Sequence, residues 1–507
     1  MKYKHWLLFG LIVLKFIVQY HLIDPVYELH RDEFLHLDQG RHLAWGFLSV
    51  PPLTSMLSYI ILLLGNGVFW VKFFPALFGA LTILVVWKTI EALKGEWFAL
   101  LLGSVSILLS VLLRINTLYQ PNSLDILSWT LLYYLIIRFI QSRRPYWLYM
   151  SAVVMAIGFL NKYNIAFLIL GLLPALLLTE HRRVFQSRHL YGAAALSLLL
   201  ISPNLAWQYQ NNFPVIHHLN ELAATQLVNV ERLGFLKEQV MFFLGALFIL
   251  VASFIAFIIY PPFKQYRIIG LSYLFTIVLF VWFRAKGYYA IGLYPVLLAF
   301  GAVYLEKLTV GRRVKYLRPV ALIIPVLMLW PMWQIAFPNR TPQQIRQKAK
   351  MYEDFGMLRW EDGKNHILPQ DFADMLGWKE LAQKVDSAYA MVPEPEQTMI
   401  LCDNYGQAGA INYYSSHPNI GAVSMNADYI NWMKLDKPIR YFIRVKEAGD
   451  NGQEMAKTAP FFESAIKIGE ITNPYAREKG TTIYLFKDVK INANKRLEEE
   501  RKERMKW

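Results

Sequence analysis

Residues 68–87 read VFWVKFFPALFGALTILVVW, and Lys72 is the only charged side chain in this run. An α-helix needs about 20 apolar residues to cross the roughly 30 Å hydrocarbon layer of a bilayer. The run therefore predicts a transmembrane helix. The same pattern recurs along the first two thirds of the chain, which indicates a polytopic α-helical membrane protein.

Eleven apolar segments are long enough to cross a bilayer, so we expect about 11–13 transmembrane helices. They lie near residues 6–20, 68–87, 97–113, 123–140, 147–162, 164–179, 190–204, 238–259, 268–283, 287–305 and 319–337. The composition agrees, because 55% of the 507 residues are hydrophobic and only 18% are charged, against about 25% charged residues in soluble domains. Residues 51–66 contain a double proline and predict a shorter helix at the membrane interface.

The net charge of the chain is +15, but its Lys and Arg residues are scattered through short loops, which argues against nucleic-acid binding. One set of alternate loops holds about 17 Lys and Arg and the other set about 9. The positive-inside rule assigns the richer set to the cytoplasm. The loop of residues 21–67 then faces outward, and with an odd number of crossings so does the chain after residue 338.

The chain becomes more polar after residue 337. Four β-branched or alternating runs, TMILCDN, PIRYFIRV, SAIKIGEI and TTIYLFKD, are separated by helical patterns such as GWKELAQKVDSAYAMV. We therefore divide the chain into a transmembrane domain, residues 1–337, and an extracytoplasmic α/β domain, residues 338–507. The second domain ends in a charged tail, NKRLEEERKERMKW, which predicts a solvated helix.

The outward loop holds a charged cluster, ELHRDEFLHLDQGRHLAWG, at residues 28–46. On a helix, Asp32 and His36 would share a face, and a carboxylate beside a histidine can act as a base or as a metal ligand. The alternative is a solvated loop next to the membrane. Together with His30 and Glu33 the pair offers ligand types for a divalent metal ion, zinc or manganese, but the spacing fits no known metal motif. A metal is therefore left open, and no metal ligand is assigned.

Further polar residues lie at the outer ends of predicted spans, where a charge normally has a partner or a task. Asp125, in LYQPNSLDILSW, is either a functional carboxylate or a carboxylate at a helix N-terminus, and Arg114 is its candidate partner. Lys162, in GFLNKYN, either reaches the headgroup region or holds a lipid phosphate. Arg284 and Lys286, in FRAKGYYAIGLYP, either belong to an interfacial aromatic belt or join the same site.

These carboxylates and cations converge on one face of the membrane, the face that also carries the soluble domain. The combination suits a reaction on a phosphate-bearing lipid, in which cations hold the phosphate and a carboxylate transfers a proton. A transporter would place its polar groups near the middle of the bilayer, where the predicted spans read as apolar.

Six motifs resemble, in order, those of the bacterial family 39 glycosyltransferases. These enzymes are relatives of the protein O-mannosyltransferases and of the lipid A aminoarabinose transferase, and they share the GT-C membrane fold. The motifs are the Asp32–Glu33 pair, LAWGFLSVPPL, PNSLD with Asp125, LNKY with Lys162, PNLAWQYQNNFP and AKGYYAIGLYP. The outer domain adds GWKELAQKV, NYGQAGAINYY and SMNADYINW. The resemblance covers nearly the whole chain, and the order of the motifs makes it specific.

The resemblance implies an integral-membrane glycosyltransferase of the bacterial inner membrane. It would move a sugar from a polyprenyl-phosphate donor to an acceptor hydroxyl on the periplasmic side, with residues 21–67 as the catalytic loop. Asp32 would be the base, Glu33 would orient the acceptor or a metal, and Asp125 would support the site electrostatically. The donor phosphate would be bound by Lys162, Lys286 and Arg284.

Two positions depart from the family pattern. Many relatives carry a basic residue just before PPL, where this chain has Val50, and they read KPYY where this chain reads KGYY. Neither change removes the proposed base. The resemblance leaves the acceptor open between lipid A, another cell-surface glycan and a protein hydroxyl. Two alternatives from other classes are a transporter of lipid-linked sugars and a membrane-anchored protein that binds glycans.

Overall fold

The chain folds into two compact units. The computed structural model describes residues 2–311, 313–418 and 420–505. The first unit comprises residues 1–22, 50–54 and 69–337, and the second comprises residues 23–49, 55–68 and 338–507. Most of residues 21–67 thus cluster with the C-terminal third of the chain, and the proposed division at residue 337 stays a prediction.

All regular secondary structure in the described residues of the first unit is helical. Its α-helices are Lys2–Tyr20, Val68–Ala92, Trp97–Leu108, Leu112–Ile115, Asn122–Ser142, Tyr146–Asn161, Ile165–Leu177, Arg188–Gln210, Pro214–Thr225, Arg232–Phe242, Leu247–Ile259, Arg267–Trp282, Tyr294–Leu308 and Leu317–Ile335. Short 3-10 helices connect or extend them at Glu180–Gln186, Leu227–Asn229, Leu244–Ala246, Pro261–Tyr266, Gly287–Leu293 and Val314–Tyr316. The eleven apolar segments recognised in the sequence all fall on these helices.

Six helices within the described residues are long and apolar enough to cross a membrane, or eight if each of two bent pairs is one span. The apolar helices Trp97–Leu108 and Tyr146–Asn161 are shorter than such a span requires, which accounts for part of the difference from the predicted eleven. The predicted span 238–259 is broken, because the helices on either side of Phe243 meet at a bend of 63°. The number of crossings stays a prediction.

Large side chains fill the centre of the first unit. Trp129, Phe280 and Phe300 are fully buried there. Most residues of the segment Gly287–Leu308 are buried, whereas almost all residues of Val314–Ile335 are at least partly exposed. A helix that is apolar on every side is stable in either place, inside a helical bundle or against lipid.

One predicted span carries a polar group that the sequence interpretation overlooked. Lys15 lies inside the helix Lys2–Tyr20 and is only 2% exposed. Its ammonium group donates to the side-chain oxygens of Gln19 and Asn116. Gly79 makes room for this arrangement, because a side chain there would collide with Asn116 and Lys15. The spans are therefore less uniformly apolar than their hydropathy indicates.

The second unit combines short helices with one sheet. Its helices are Arg31–Gln39, most of Leu53–Leu63, Pro342–Gln347, Ala349–Asp354, Gln370–Ala373, Trp378–Tyr389, Tyr405–Tyr414, Tyr429–Trp432, Gln453–Thr458 and Ala493–Arg504. Its strands are β1 (Thr398–Cys402), β2 (Ala422–Ser424), β3 (Tyr441–Lys446), β4 (Phe462–Glu470) and β5 (Thr482–Val489). The predicted α/β character of this part of the chain is confirmed.

The five strands follow the order β2-β1-β3-β5-β4. β1 pairs in parallel with β2 and β3, so Leu401 lies between Val423 and Arg444, and the pairs β3–β5 and β5–β4 are antiparallel. The four predicted strands are present. β2 was not predicted because its three residues are too few to show an alternating pattern.

Two helices of the second unit agree with smaller predictions. Leu53–Leu63 follows the double proline, as expected for the short apolar piece. The charged tail forms Ala493–Arg504, and its last two residues lie outside the described part of the chain.

Candidate active site

Asp32 lies in the first turn of the helix Arg31–Gln39, in the second unit. The ring Nδ1 of His30 accepts a hydrogen bond from the backbone N–H of Asp32 at 3.2 Å, and the Glu33 carboxylate accepts one from the backbone N–H of His30 at 2.8 Å. This reciprocal capping box satisfies two backbone groups that a helix start leaves open. The local sequence HRDE therefore fixes where the helix begins and where the Asp32 carboxylate lies.

The Asp32 carboxylate contacts a tyrosine from a distant part of the second unit. The hydroxyl of Tyr405 donates to Asp32 Oδ1 at 2.7 Å, and the guanidinium of Arg31 stacks over the Tyr405 ring, 4.6 Å from its centre. The Asp32 side chain keeps 35% of its surface exposed. The carboxylate is thus both held in place and accessible.

The surroundings of Asp32 favour its charged form. Burial by itself raises the pKa of the Asp32 carboxyl, but the neighbouring His30 and Arg31 and the Tyr405 hydrogen bond outweigh it and hold the pKa below its usual value. His36 also interacts electrostatically with Asp32, as expected for two residues on one helix face. Burial lowers the pKa of His36, whose ring bonds to the side chain of Gln39 at 3.0 Å. Asp32 is therefore ionised at neutral pH, as a general base has to be.

Asp125 belongs to a second cluster, in the membrane unit. The indole N–H of Trp129 donates to Asp125 Oδ1 at 2.9 Å, and the Asn164 amide donates to Oδ2 at 2.9 Å. Lys162 interacts electrostatically with the same carboxylate. Arg114, the partner considered from the sequence, donates to Thr117 Oγ1 instead.

Lys162 follows directly after the helix Tyr146–Asn161. Its ammonium group donates to Asn122 Oδ1 at 2.8 Å and lies over the rings of Tyr289 and Tyr288, at 4.3 and 5.1 Å from their centres. Such cation–π contacts stabilise a charge that has lost part of its water. Both tyrosines belong to the motif AKGYYAIGLYP, which also contains Lys286. Lys162 and Lys286 interact electrostatically.

The two remaining cations of the cluster contact the segment that precedes Arg232. Lys286 Nζ donates to Gln226 Oε1 at 2.6 Å, and Arg284 Nη1 donates to the backbone carbonyl of Val228 at 3.1 Å. Lys286 is half-buried, whereas Arg284 is exposed. The structure thus brings Lys162 and Lys286 together and leaves Arg284 at the margin.

Asn164 is a site candidate that the sequence interpretation missed. Its amide group donates both to Asp125 and to the backbone carbonyl of Tyr289, at 2.9 and 3.0 Å. Its amide oxygen has no hydrogen-bond partner within the described residues, although it is buried. The signal in the sequence is the second asparagine of NKYN. Tyr405 and Trp129 were also missed, and of these only Trp129, one helical turn after Asp125, follows from local spacing.

The predicted site residues therefore fall into two sets, one in each unit: Asp32 and Glu33 in the second unit, and Asp125, Lys162, Lys286 and Arg284 in the first. Across the residues that the structure describes, no group of three or more His, Cys, Asp or Glu side chains has the arrangement of a metal site. The roles assigned to these residues stay predictions.

Comparison with known proteins gives one family and a set of similar structures. The sequence profile described as dolichyl-phosphate-mannose-protein mannosyltransferase matches residues 49–207. The crystal structure of ArnT from Cupriavidus metallidurans bound to undecaprenyl phosphate aligns with a TM-score of 0.62 and 14% identity, over 97% of this chain and 99% of that chain. Its apo form aligns with the same TM-score and 13% identity, over the same shares of the two chains.

A more distant similarity extends to an archaeal protein. The oligosaccharyltransferase AglB from Archaeoglobus fulgidus, in complex with an inhibitory peptide and a dolichol-phosphate, aligns with a TM-score of 0.51 and 11% identity, over 88% of this chain and 70% of that chain. No curated protein sequence matches the chain.

The fold defines the class: the chain is a multi-pass membrane protein of the GT-C type. Residues 49–207 match the profile described as dolichyl-phosphate-mannose-protein mannosyltransferase, which agrees with the resemblance to the family 39 glycosyltransferases.

Proposed function

We propose that this protein transfers a single sugar from a polyprenyl-phosphate donor to an acceptor hydroxyl on the outer, periplasmic side of the bacterial inner membrane. The observation that carries the proposal is the cluster around Lys162, where an ammonium group lies over two tyrosine rings and beside the buried carboxylate of Asp125. Lys286 adds a second positive charge to it. The ammonium groups of these lysines can donate charge-assisted hydrogen bonds to a lipid phosphate.

The comparisons support a lipid-linked substrate in general terms. The similar ArnT structure contains undecaprenyl phosphate, and the similar AglB structure contains a dolichol-phosphate. For this chain we infer the same chemical class of donor, with lipid A, another envelope glycan or a protein hydroxyl as the acceptor.

The reaction assigns one role to each set of residues. Asp32 takes the proton from the acceptor hydroxyl while that oxygen attacks the anomeric carbon of the sugar. The bond from the anomeric carbon to the phosphate oxygen breaks, and its electron pair leaves with the polyprenyl phosphate. A single displacement of this kind inverts the anomeric carbon.

The other residues hold the reacting groups. Lys162 and Lys286 stabilise the negative charge that grows on the departing phosphate, where fixed cations lower the barrier most. Arg284 lies further out and contributes less. Asp125 keeps Lys162 in place, and Glu33 orients the catalytic loop through its cap on the helix Arg31–Gln39.

The test uses the full-length protein in proteoliposomes. The probes are undecaprenyl-phosphate donors whose labelled sugar is mannose, glucose, galactose or aminoarabinose. The acceptors offered with them are lipid A, other envelope lipids and serine-containing peptides. Release of undecaprenyl phosphate and movement of the intact lipid across the bilayer are measured in parallel, for the wild type and for Asp32→Asn.

The proposal expects one of the probes to be cleaved by the wild type and the cleavage to fall about 1,000-fold in Asp32→Asn, because loss of a general base costs about two to four powers of ten. Binding of the donor should be unchanged. Movement of the intact lipid without cleavage would contradict the proposal and indicate a transporter. Cleavage that survives in Asp32→Asn would remove Asp32 as the base.

A further inference from the structure

Tyr405 comes from the α/β sheet of the second unit but contacts the carboxylate of Asp32. It is the first residue of the helix Tyr405–Tyr414, which follows directly after the carboxyl end of β1. In open sheets with parallel strands, this edge is where ligands and reactive groups gather. Here the edge presents the Tyr405 hydroxyl, which lies 2.7 Å from Asp32 Oδ1.

The start of this helix is fixed by polar contacts. Asn404 accepts a hydrogen bond from the backbone N–H of Gln407 at 3.0 Å and so caps the helix. The amide of Gln407 donates to the buried carboxylate of Glu478 at 2.6 Å, and Asn404 donates to Glu478 and to Glu447. The groups at this edge are thus satisfied by one another, and Tyr405 has little freedom to move.

The helix also packs closely on the helix that carries Asp32. A side chain at Gly409 would lie 2.6 Å from the Cβ atom of Phe34 and 2.6 Å from the hydroxyl of Tyr429. Such a distance is too short for any larger residue without displacement of its neighbours. Glycine at this position therefore lets the two helices approach until the phenol reaches the carboxylate.

Arg31 completes the arrangement from the other side. Its guanidinium lies over the Tyr405 ring, so it stabilises the ring without competing for the hydroxyl proton. Burial raises the pKa of the Tyr405 phenol far above its usual value, and the negative charge of Asp32 raises it further. The phenol therefore stays protonated and acts as the donor in this hydrogen bond.

We propose that Tyr405 is a positioning residue for the catalytic base: its hydroxyl holds one oxygen of Asp32, so that the α/β domain supplies part of the reaction centre. This inference rests on the proposed function. It assigns the C-terminal domain a second task besides any choice of acceptor, because the domain sets the orientation and the basicity of a carboxylate encoded more than 370 positions earlier.

The experiment compares Tyr405→Phe with Tyr413→Phe in the full-length protein. Both tyrosines belong to the same helix, but the Tyr413 hydroxyl donates to the backbone carbonyl of Asn66 at 2.8 Å. Phenylalanine at 405 keeps the ring under Arg31, and a thermal unfolding midpoint close to that of the wild type verifies the fold. The rate of cleavage of the undecaprenyl-phosphate sugar is measured from about pH 4 to about pH 8.

A second measurement needs no donor. A water-soluble carbodiimide modifies protonated carboxyl groups, and mass spectrometry of the fragment that contains Asp32 gives the extent of labelling at each pH. Because the Tyr405 hydrogen bond lowers the pKa of Asp32, its loss should move the labelling midpoint upward by about one pH unit.

The inference expects three results for Tyr405→Phe: a kcat about tenfold lower, an unchanged KM for the donor, and an acid limb of the rate profile shifted to higher pH together with the labelling midpoint. Tyr413→Phe should leave all three as in the wild type. A purely structural role would not move the acid limb.

Two outcomes separate the inference from the function on which it rests. If the wild type cleaves the donor but Tyr405→Phe has the same kcat and the same labelling midpoint, the positioning role is wrong and the proposed function stands. If the labelling midpoint shifts but the wild type cleaves none of the probes, the proposed function is overturned and the contact has no catalytic meaning.

Discussion

Asp32 and Asp125 both lie in the first turn of a helix, yet their surroundings differ in kind. The Asp32 side chain is partly exposed, and its Oδ1 accepts a hydrogen bond from the Tyr405 hydroxyl. Asp125 is 5% exposed, and each of its oxygens accepts a hydrogen bond, from Trp129 and from Asn164. A base has to reach the proton that it takes. The comparison therefore favours Asp32 as the reactive group and Asp125 as the group that holds its neighbours.

The largest effect that separates the two carboxylates should be on stability. We expect Asp125→Leu to lower the free energy of unfolding by about 3–5 kcal/mol, because it leaves the charge of Lys162 and the N–H groups of Trp129 and Asn164 without their acceptor. Unfolding in detergent, followed by tryptophan fluorescence and by loss of helical signal, measures this difference.

The matched control is Asp32→Asn, which keeps an oxygen for the Tyr405 hydroxyl and lies where solvent can reach it. Its free energy of unfolding should change by about 1 kcal/mol or less. Equal losses in the two variants would mean that the two carboxylates are both structural, and the assignment of Asp32 as the reactive one would lose its basis.

The next effect concerns the donor phosphate and the cation that Asp125 holds. Lys162→Met should weaken the binding of undecaprenyl phosphate about 10- to 100-fold, because a charge-assisted contact to a partly buried lysine is worth about 1.5–3 kcal/mol. Arg284→Gln should weaken it less than about threefold, since an exposed charge is screened by solvent. Isothermal titration with the detergent-solubilised protein gives both dissociation constants.

Lys88→Met is the control for Lys162→Met, because Lys88 is a partly exposed lysine that pairs with Glu91 at 2.8 Å. It should bind undecaprenyl phosphate as the wild type does. If Arg284→Gln weakens binding as strongly as Lys162→Met, the phosphate lies further out than the tyrosine-lined cluster around Lys162.

The sequence could predict what depends on neighbouring residues. The apolar segments and the four longer strands follow from local patterns, and the structure has helices and strands at these positions. Contacts between distant residues did not follow: Tyr405 reaches Asp32, and Asn164 rather than Arg114 bonds to Asp125. A single sequence carries no signal for such pairs, because their distance is set by how helices pack. The three-residue strand β2 was too short to be recognised.

Asp38 sharpens the comparison within a single helix. It lies six residues after Asp32 on the helix Arg31–Gln39. Burial raises the pKa of the Asp38 carboxyl to about 6, although the hydrogen bonds from Asn412 and Tyr429 lower it. A carboxyl whose pKa is raised by folding binds its proton more tightly in the folded state. Its contribution to stability is therefore greatest at low pH and is lost as the pH rises from about 4 to about 6.

Asp38→Asn should remove this loss of stability at higher pH. Asn412 and Tyr429 both donate to the same oxygen of Asp38, at 2.8 and 2.7 Å, so an amide oxygen can replace it. The variant gives up only a 3.7 Å ion pair with the partly exposed Arg41. We expect it to be about 1–2 kcal/mol more stable than the wild type at about pH 7.5 and equally stable near pH 4. Thermal unfolding across this range measures the difference.

Asp386→Asn is the control with the opposite sign. The hydrogen bonds from Ser415 and Ser416 outweigh burial and lower the pKa of the Asp386 carboxyl, so its stabilising effect is present at neutral pH and is lost as the pH falls. The variant should therefore be less stable than the wild type at about pH 7.5. If Asp38→Asn is less stable than the wild type at that pH, the negative charge of Asp38 stabilises the fold. The two carboxylates of this helix would then not differ in pKa in the way that their neighbours indicate.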